Sequence, residues 1–220
     1  MASFRPPWCT PTFTLNLLPH LIASYGRYQP TAHGTVPGCR PHSGSPAPEH
    51  LQAIIVAALD TGMRRGEITN QRWEHMDLSR KLLLVTKSKT PEGEAREIPL
   101  TERLAELLLS KRQPEGLVFT YKNGPVRIIK RSWHGSCRRA GLRHIRFHDL
   151  RHTFNTRLME AGVIQEVRMA LMGHSSGHKV HATYTHIELP VKREAIAKLE
   201  RWVKSQTNLI GGNNANTQAS

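Results

Sequence analysis

Acidic residues are scarce in this 220-residue chain: 17 Asp and Glu stand against 31 Lys and Arg, for a formal charge of +14. A surface with that imbalance favours polyanionic partners, since each phosphate contact releases condensed counterions. Cysteine is scarcer still. Cys9, Cys39 and Cys137 are odd in number, far apart and without a CxxC pair, which excludes a disulfide scaffold and a cysteine-based structural zinc site. No apolar run approaches the roughly 18 residues that a membrane span requires. The opening MASFRPPWCTP puts prolines where a signal peptide needs an apolar stretch. The sequence has no internal repeat. What it does have is a hydrophobic fraction of 38%, enough for a buried core, and a length that suits one domain with an appendage.

The positive charge is unevenly placed. Between Arg127 and Arg151, Lys130 and seven arginines (Arg127, Arg131, Arg138, Arg139, Arg143, Arg146 and Arg151) face a single acid, Asp149. Residues 1–46 stand apart: RPP, TPT, YQP, VPG and SGSPAP break any element longer than a turn or two. They predict a loosely ordered arm with one short helix at 15–25. From Thr207 the polar tail TNLIGGNNANTQAS predicts disorder as far as residue 220.

Residues 47–206 carry the regular patterning of a domain. Leu51, Ile54, Ile55, Ala58 and Leu59 share one helical face, and Gly62 stops that helix. A second helix is expected from Arg64 to Gln71. KLLLVTK and REIPL bracket SKTPEGEA and read as two strands joined by a turn. Thr101 before ERLAELLLSK supplies an N-cap, an early acid and apolar periodicity. GLVF reads as a short extended piece, and helices are expected at 127–141, 147–161, 163–172, 177–184 and 190–204. The class is α+β, mainly α-helical, with a small antiparallel β-sheet near the N-terminal part of the domain.

Three segments carry chemistry. In FHDLRHTFNTRLMEAG a helical pitch lines up Leu150, Phe154, Leu158 and Ala161, with His148, Arg151, His152 and Asn155 on the opposite side. His148 and Arg151, three apart, are surface neighbours. Two groups that can both be cationic make a poor core, but they suit an anion held between them: guanidinium grips phosphate and imidazole moves a proton. In LDTGMRRGEITNQRW, Gly62 ends a helix and Arg64 opens the next, where helix amides can share an anion with it. Glu67, one turn on, is placed to orient an arginine. In LMGHSS and HKVHATYTHIE, Gly173 sets His174 on a turn and Tyr184 follows ten residues later. Each segment alone is a weak signal.

Together TGMRRGE (61–67), SKT with REIPL (88–90 and 96–100), HDLRH (148–152), MGHSS (172–176) and YTH (184–186) resemble the catalytic domain of the tyrosine recombinases, or phage-type integrases. The resemblance runs from residue 50 to residue 200. It implies site-specific DNA recombination in which Tyr184 attacks a phosphate, leaving a 3′-phosphotyrosyl link and a free 5′-hydroxyl. Arg64 and Arg151 would clamp the phosphate oxygens, His148 would help move the tyrosine's proton, and His174 would hydrogen-bond the phosphate. A hairpin lysine would protonate the leaving oxygen. Lys89 fits the SKT alignment and is favoured, while Lys87 lies at the strand end. The bond energy stays in the phosphotyrosine, so no cofactor and no metal are expected. Double-stranded DNA is the expected partner, with Arg127, Lys130, Arg131, Arg138, Arg139 and Arg146 as candidate contacts. A homo-tetramer on DNA, no membrane, and a cytoplasmic location (nucleoid-associated in a bacterium) complete the expectation.

Two departures bear on it. The interval from His174 to Tyr184 is one residue longer than the family's usual nine. The Pro/Gly-rich residues 1–46 do not resemble the helical core-binding domain that normally precedes this one, so a truncated, weakly active or non-catalytic DNA-binding remnant is the alternative. A metal site from His174, His178, His181 and His186 is a third reading, though no HExxH motif accompanies them. PVKREAIAKLERWVK (190–204), with Ile196, Leu199 and Val203 on one side, either packs on a neighbouring copy or caps its own domain.

Overall fold

The computed structural model describes residues 47–140, 145–174 and 187–215, and the side chains of these apart from 92 and 207–215. The arm at 1–46 and the expected helix at 177–184 lie outside them. Helix α1 (Glu49–Thr61) is the centre of the core. Its apolar residues are not confined to one face: Ala53, Val56 and Ala57 are as buried as Leu51, Ile54, Ile55, Ala58 and Leu59. A helix that is apolar nearly all round is one surrounded by protein. Its stop is enforced twice at Gly62. The residue adopts φ +62, and a Cβ there would lie 2.3 Å from Cδ1 of Phe154.

A short helix, α2 (Arg65–Thr69), follows, then strand β1 (Met76–Asp77), β2 (Leu82–Val85) and β3 (Arg96–Pro99). They form an antiparallel sheet in the order β1-β2-β3, with Leu82 opposite Pro99 and Val85 opposite Arg96. The expected two-strand hairpin is therefore present, with a third short strand added at its edge. Helix α3 (Glu102–Leu109) begins at Thr101, whose hydroxyl accepts from the Leu104 N–H at 3.2 Å. Leu117 of GLVF makes a bridge to Arg72, and β4 (Thr120–Tyr121) pairs with β5 (Gly124–Pro125) just beyond.

Helices α4 (Lys130–Arg139), α5 (Asp149–Glu160) and α6 (Gln165–Met172) fall inside the expected ranges. Helix α5 packs on α1, carrying Leu150, Phe154 and Leu158 into the core. The last helix, α7 (Leu189–Ala215), lies against α5, α6 and β3. It outruns the expected end at 204: the polar residues 207–215 continue the helix and are not irregular. Its Ala195, Ile196 and Leu199 are buried in the common core, so this apolar face caps its own domain.

Candidate active site

Three of the motifs meet at one turn. Gly173, at φ +64, ends α6 and turns the chain to His174. Arg151, in the first turn of α5, donates from Nη1 to the Gly62 carbonyl and from Nη2 to the Met172 carbonyl, both at 2.7 Å. Both acceptors sit at helix C-termini, where the partial negative charge of the backbone collects. The side chain is buried, which corrects its expected place on a solvent-facing side; two carbonyls satisfy it in the interior. Neither partner is a carboxylate, so its positive charge is held without being cancelled. Burial pulls its pKa down to about 10; Arg64 and Arg96 add to that and Glu67 opposes it.

Arg64 reaches the same turn from α2. Its Nη1 donates to Glu67 at 3.0 Å and to the Ser88 hydroxyl at 2.9 Å, and its Nη2 to the Gly173 carbonyl at 3.4 Å. The Arg64 N–H is already taken by Glu67 Oε2 at 2.9 Å. That one amide is therefore closed to an anion, and the guanidinium faces the site. Glu67 also accepts from Ser88 at 2.6 Å and from Arg96 at 2.6 Å. Burial opposes its charge, but Arg96, Ser88 and the Arg64 N–H outweigh that and hold its carboxyl at about 2.

The segment between β2 and β3 closes one side. Ser88 and Thr90 turn inward toward Arg64, while Lys89 between them, and Lys87, are exposed. His148 is the N-cap of α5, its ring 5.1 Å from that of His152. Partial desolvation lowers its pKa first, with His152 and Arg151 adding. His174 is exposed by area, yet partial desolvation, then Arg151, Arg64, His152 and His148, push it down to about 4. Desolvation first, and neighbouring cations second, thus hold both imidazoles toward the neutral form.

A cleft of about 570 Å³ opens beside these groups, lined by Arg64, Thr90, Met172 and His174 together with Asn155, Gln165, Arg168 and Met169. Arg168 donates to Asn155 Oδ1 at 2.8 Å and to the Val163 carbonyl at 3.1 Å. Sequence reasoning missed it, because an arginine inside a short helix carries no motif. Arg96, read only as part of a strand, was missed likewise. Of the candidate DNA contacts, Arg127, Lys130, Arg131, Arg138, Arg139 and Arg146 are all exposed, but they are not equivalent. Arg146 is paired with Asp149 at 3.0 Å and Arg139 bonds Ser136 at 3.3 Å. Tyr184 lies outside the described residues, as do Arg143, His178, His181 and His186. Among the described residues no three metal-ligating side chains cluster, and no helix is long and apolar enough to cross a membrane.

Residues 39–189 match the family described as the phage integrase family. The chain belongs to that family. A shufflon-specific DNA recombinase of Escherichia coli is 31% identical to it over 161 residues, 69% of this chain and 40% of the relative. The family's fold is matched by the integrase from mycobacterium phage Brujita, at 22% identity and a TM-score of 0.57, over 90% of this chain and 74% of that one. The Tn1549 transposon integrase, solved in complex with a circular intermediate DNA, matches at 22% identity and a TM-score of 0.51, over 68% of this chain and 58% of that one. The architecture is that of a tyrosine recombinase catalytic domain, mainly helical with small antiparallel sheets. The chain spans 40% of the length of the first curated relatives it matches.

Proposed function

We propose that this chain cleaves and rejoins double-stranded DNA, as a site-specific recombinase, through a 3′-phosphotyrosyl intermediate on Tyr184. One observation carries the reading: Arg64, Arg151 and His174, far apart in sequence, converge on the turn at residues 172–174. In that turn the Arg151 guanidinium is bound by carbonyls alone, so its charge is available to a phosphate. By contrast Arg96 and Arg103 are paired with Glu67 and Asp60.

In the proposed reaction the Tyr184 phenol gives up its proton, with His148 assisting, and its oxygen bonds to phosphorus. Arg64, Arg151 and His174 stabilise the extra charge on the phosphoryl oxygens as the bond to the 5′-oxygen breaks. The leaving oxygen takes a proton from the hairpin lysine, Lys89. Rejoining reverses these steps with another 5′-hydroxyl. A free tyrosine ionises near pH 10, so attack at neutral pH needs this cationic surrounding.

DNA outside the cleavage point would be gripped by the basic stretch around α4. Arg127, Lys130 and Arg131 crowd its N-terminal end, where the helix dipole disfavours cations; external phosphates offset that repulsion. The Tn1549 integrase in complex with DNA supports the same partner. Assembly as a homo-tetramer on two sites belongs to the proposal, using surfaces other than the α7 face that covers its own core.

The test is a pool of nicked duplexes with randomised arms. The parent chain is expected to yield covalent protein–DNA adducts stable to detergent, and Tyr184→Phe none. A parent that binds the pool and yields no adduct is the DNA-binding remnant, and the enzymatic reading fails.

A further inference from the structure

Arg96 lies at the start of β3, outside every residue the reaction uses, and its side chain is only 4% exposed. Unlike the equally buried Arg151, it is neutralised by a carboxylate and its fork is taken up by protein partners. Its guanidinium ties together three segments that carry the site. Nη2 pairs with Glu67 Oε2 at 2.6 Å, joining α2 and so Arg64. Nε donates to the Leu171 carbonyl at 3.2 Å, three residues before His174. Nη1 donates to the Gly93 carbonyl, inside the loop that carries Lys89.

The loop is seated closely on that frame. A Cβ at Gly173 would lie 2.6 Å from the Gly93 Cα, and a Cβ at Gly93 would lie 2.2 Å from the Ser88 hydroxyl. Thr90 donates to the Gly173 carbonyl at 3.3 Å, so both neighbours of Lys89 are pinned, Ser88 to Glu67 and Thr90 to the turn. Lysine could not replace this arginine: an ammonium is a point donor, whereas the planar fork addresses three directions at once.

From this geometry we infer that Arg96 is a positioning residue for the leaving-group acid, fixing the 86–95 loop so that Lys89 is presented at the phosphate turn. The inference rests on the reaction proposed above. Its chemistry gives it a specific signature. When the 5′-oxygen at the cleaved bond is replaced by sulfur, the P–S bond breaks to release a thiolate, which keeps the electron pair and needs no proton, since thiols ionise near pH 8.5. A defect in placing the acid then disappears, while a defect in folding or in phosphate binding persists.

The experiment uses the full chain and the randomised pool in two forms, with a bridging oxygen or a bridging 5′-sulfur. Arg96→Met and Arg96→Lys are expected to form adduct at least tenfold more slowly than the parent on the oxygen form and within about twofold of it on the sulfur form. Lys89→Ala should behave the same way. Trypsin should cut after Lys87 and Lys89 several-fold faster in the Arg96 variants. Gly93→Ala, whose Cβ would lie 2.2 Å from the Ser88 hydroxyl and 3.2 Å from Arg96 Nη1, disturbs the same frame from the loop side while keeping the arginine; it should reproduce both effects and serves if the Arg96 variants do not fold. Equal loss on both substrates, no loss on either, or a loop as protected as the parent's overturns the inference. No parent adduct on either form overturns the functional reading and this inference with it.

Discussion

Arg151 keeps a full positive charge in the interior by leaning on two carbonyls and no acid. Lysine at that position retains the charge but cannot bond both helix ends. Arg151→Lys is therefore expected to slow adduct formation on the order of 100-fold, the usual cost of losing one fixed donor to a transition-state oxyanion, and to lower the melting temperature. Both are read from the same preparation. His174 offers a pH prediction. Its pKa, pushed down to about 4, is below the ordinary value of 6.5, so the unfolded chain binds the extra proton first. Stability from this group is complete above pH 6.5 and declines as the pH falls toward 4. Proton NMR of the ring should follow that titration in the free protein, and an anion in the site should move the midpoint upward. A midpoint at or above 6.5 without ligand contradicts the desolvation and cationic crowding described here.

At the scale of elements, the two glycines that end α1 and α6 set the site. Gly62→Ala combines a left-handed backbone with a contact 2.3 Å from Phe154. A loss of about 2–4 kcal/mol is expected in denaturant unfolding. Removing the Glu67 partner of Arg96 leaves a buried cation uncompensated, and Glu67→Ala should cost about 3–5 kcal/mol. These elements explain how much was legible beforehand. Helix stops, caps and apolar periodicity are local, so α1, α3, α5 and α6, and the β2–β3 pair, could be read from neighbouring residues. The motifs around Arg64, His148, Arg151 and His174 were legible because their spacing is fixed by those elements. Arg96 and Arg168 were not, since their roles depend on partners 75 and 13 residues away, respectively. The burial of Arg151 was hidden for the same reason: a helical wheel shows where a side chain leaves the helix, not which distant carbonyls receive it.

For the molecule as a whole, the charge of +14 predicts that the proposed DNA affinity depends strongly on salt. Replacing Lys130 and Arg131 together by alanine should reduce the slope of log K against log salt by about 2, across sequences alike; an unchanged slope places the DNA elsewhere. The last helix bears on assembly. Deleting residues 189–220 uncovers the core surface that Ala195, Ile196 and Leu199 fill. Loss of the cooperative melting transition is expected, not a selective loss of synapsis.

The turn at residues 172–174 has a further consequence for the order in which the protein is made. Its carbonyls are bound by Arg64, 109 residues upstream of Gly173, and by Arg151, 21 upstream of Met172. As the chain leaves the ribosome, Arg64 and Glu67 emerge long before the carbonyls that complete their surroundings. The candidate site is therefore completed late, when of the described elements only α7 has still to follow, and a nascent chain carries its arginines well before they have a common turn to meet at.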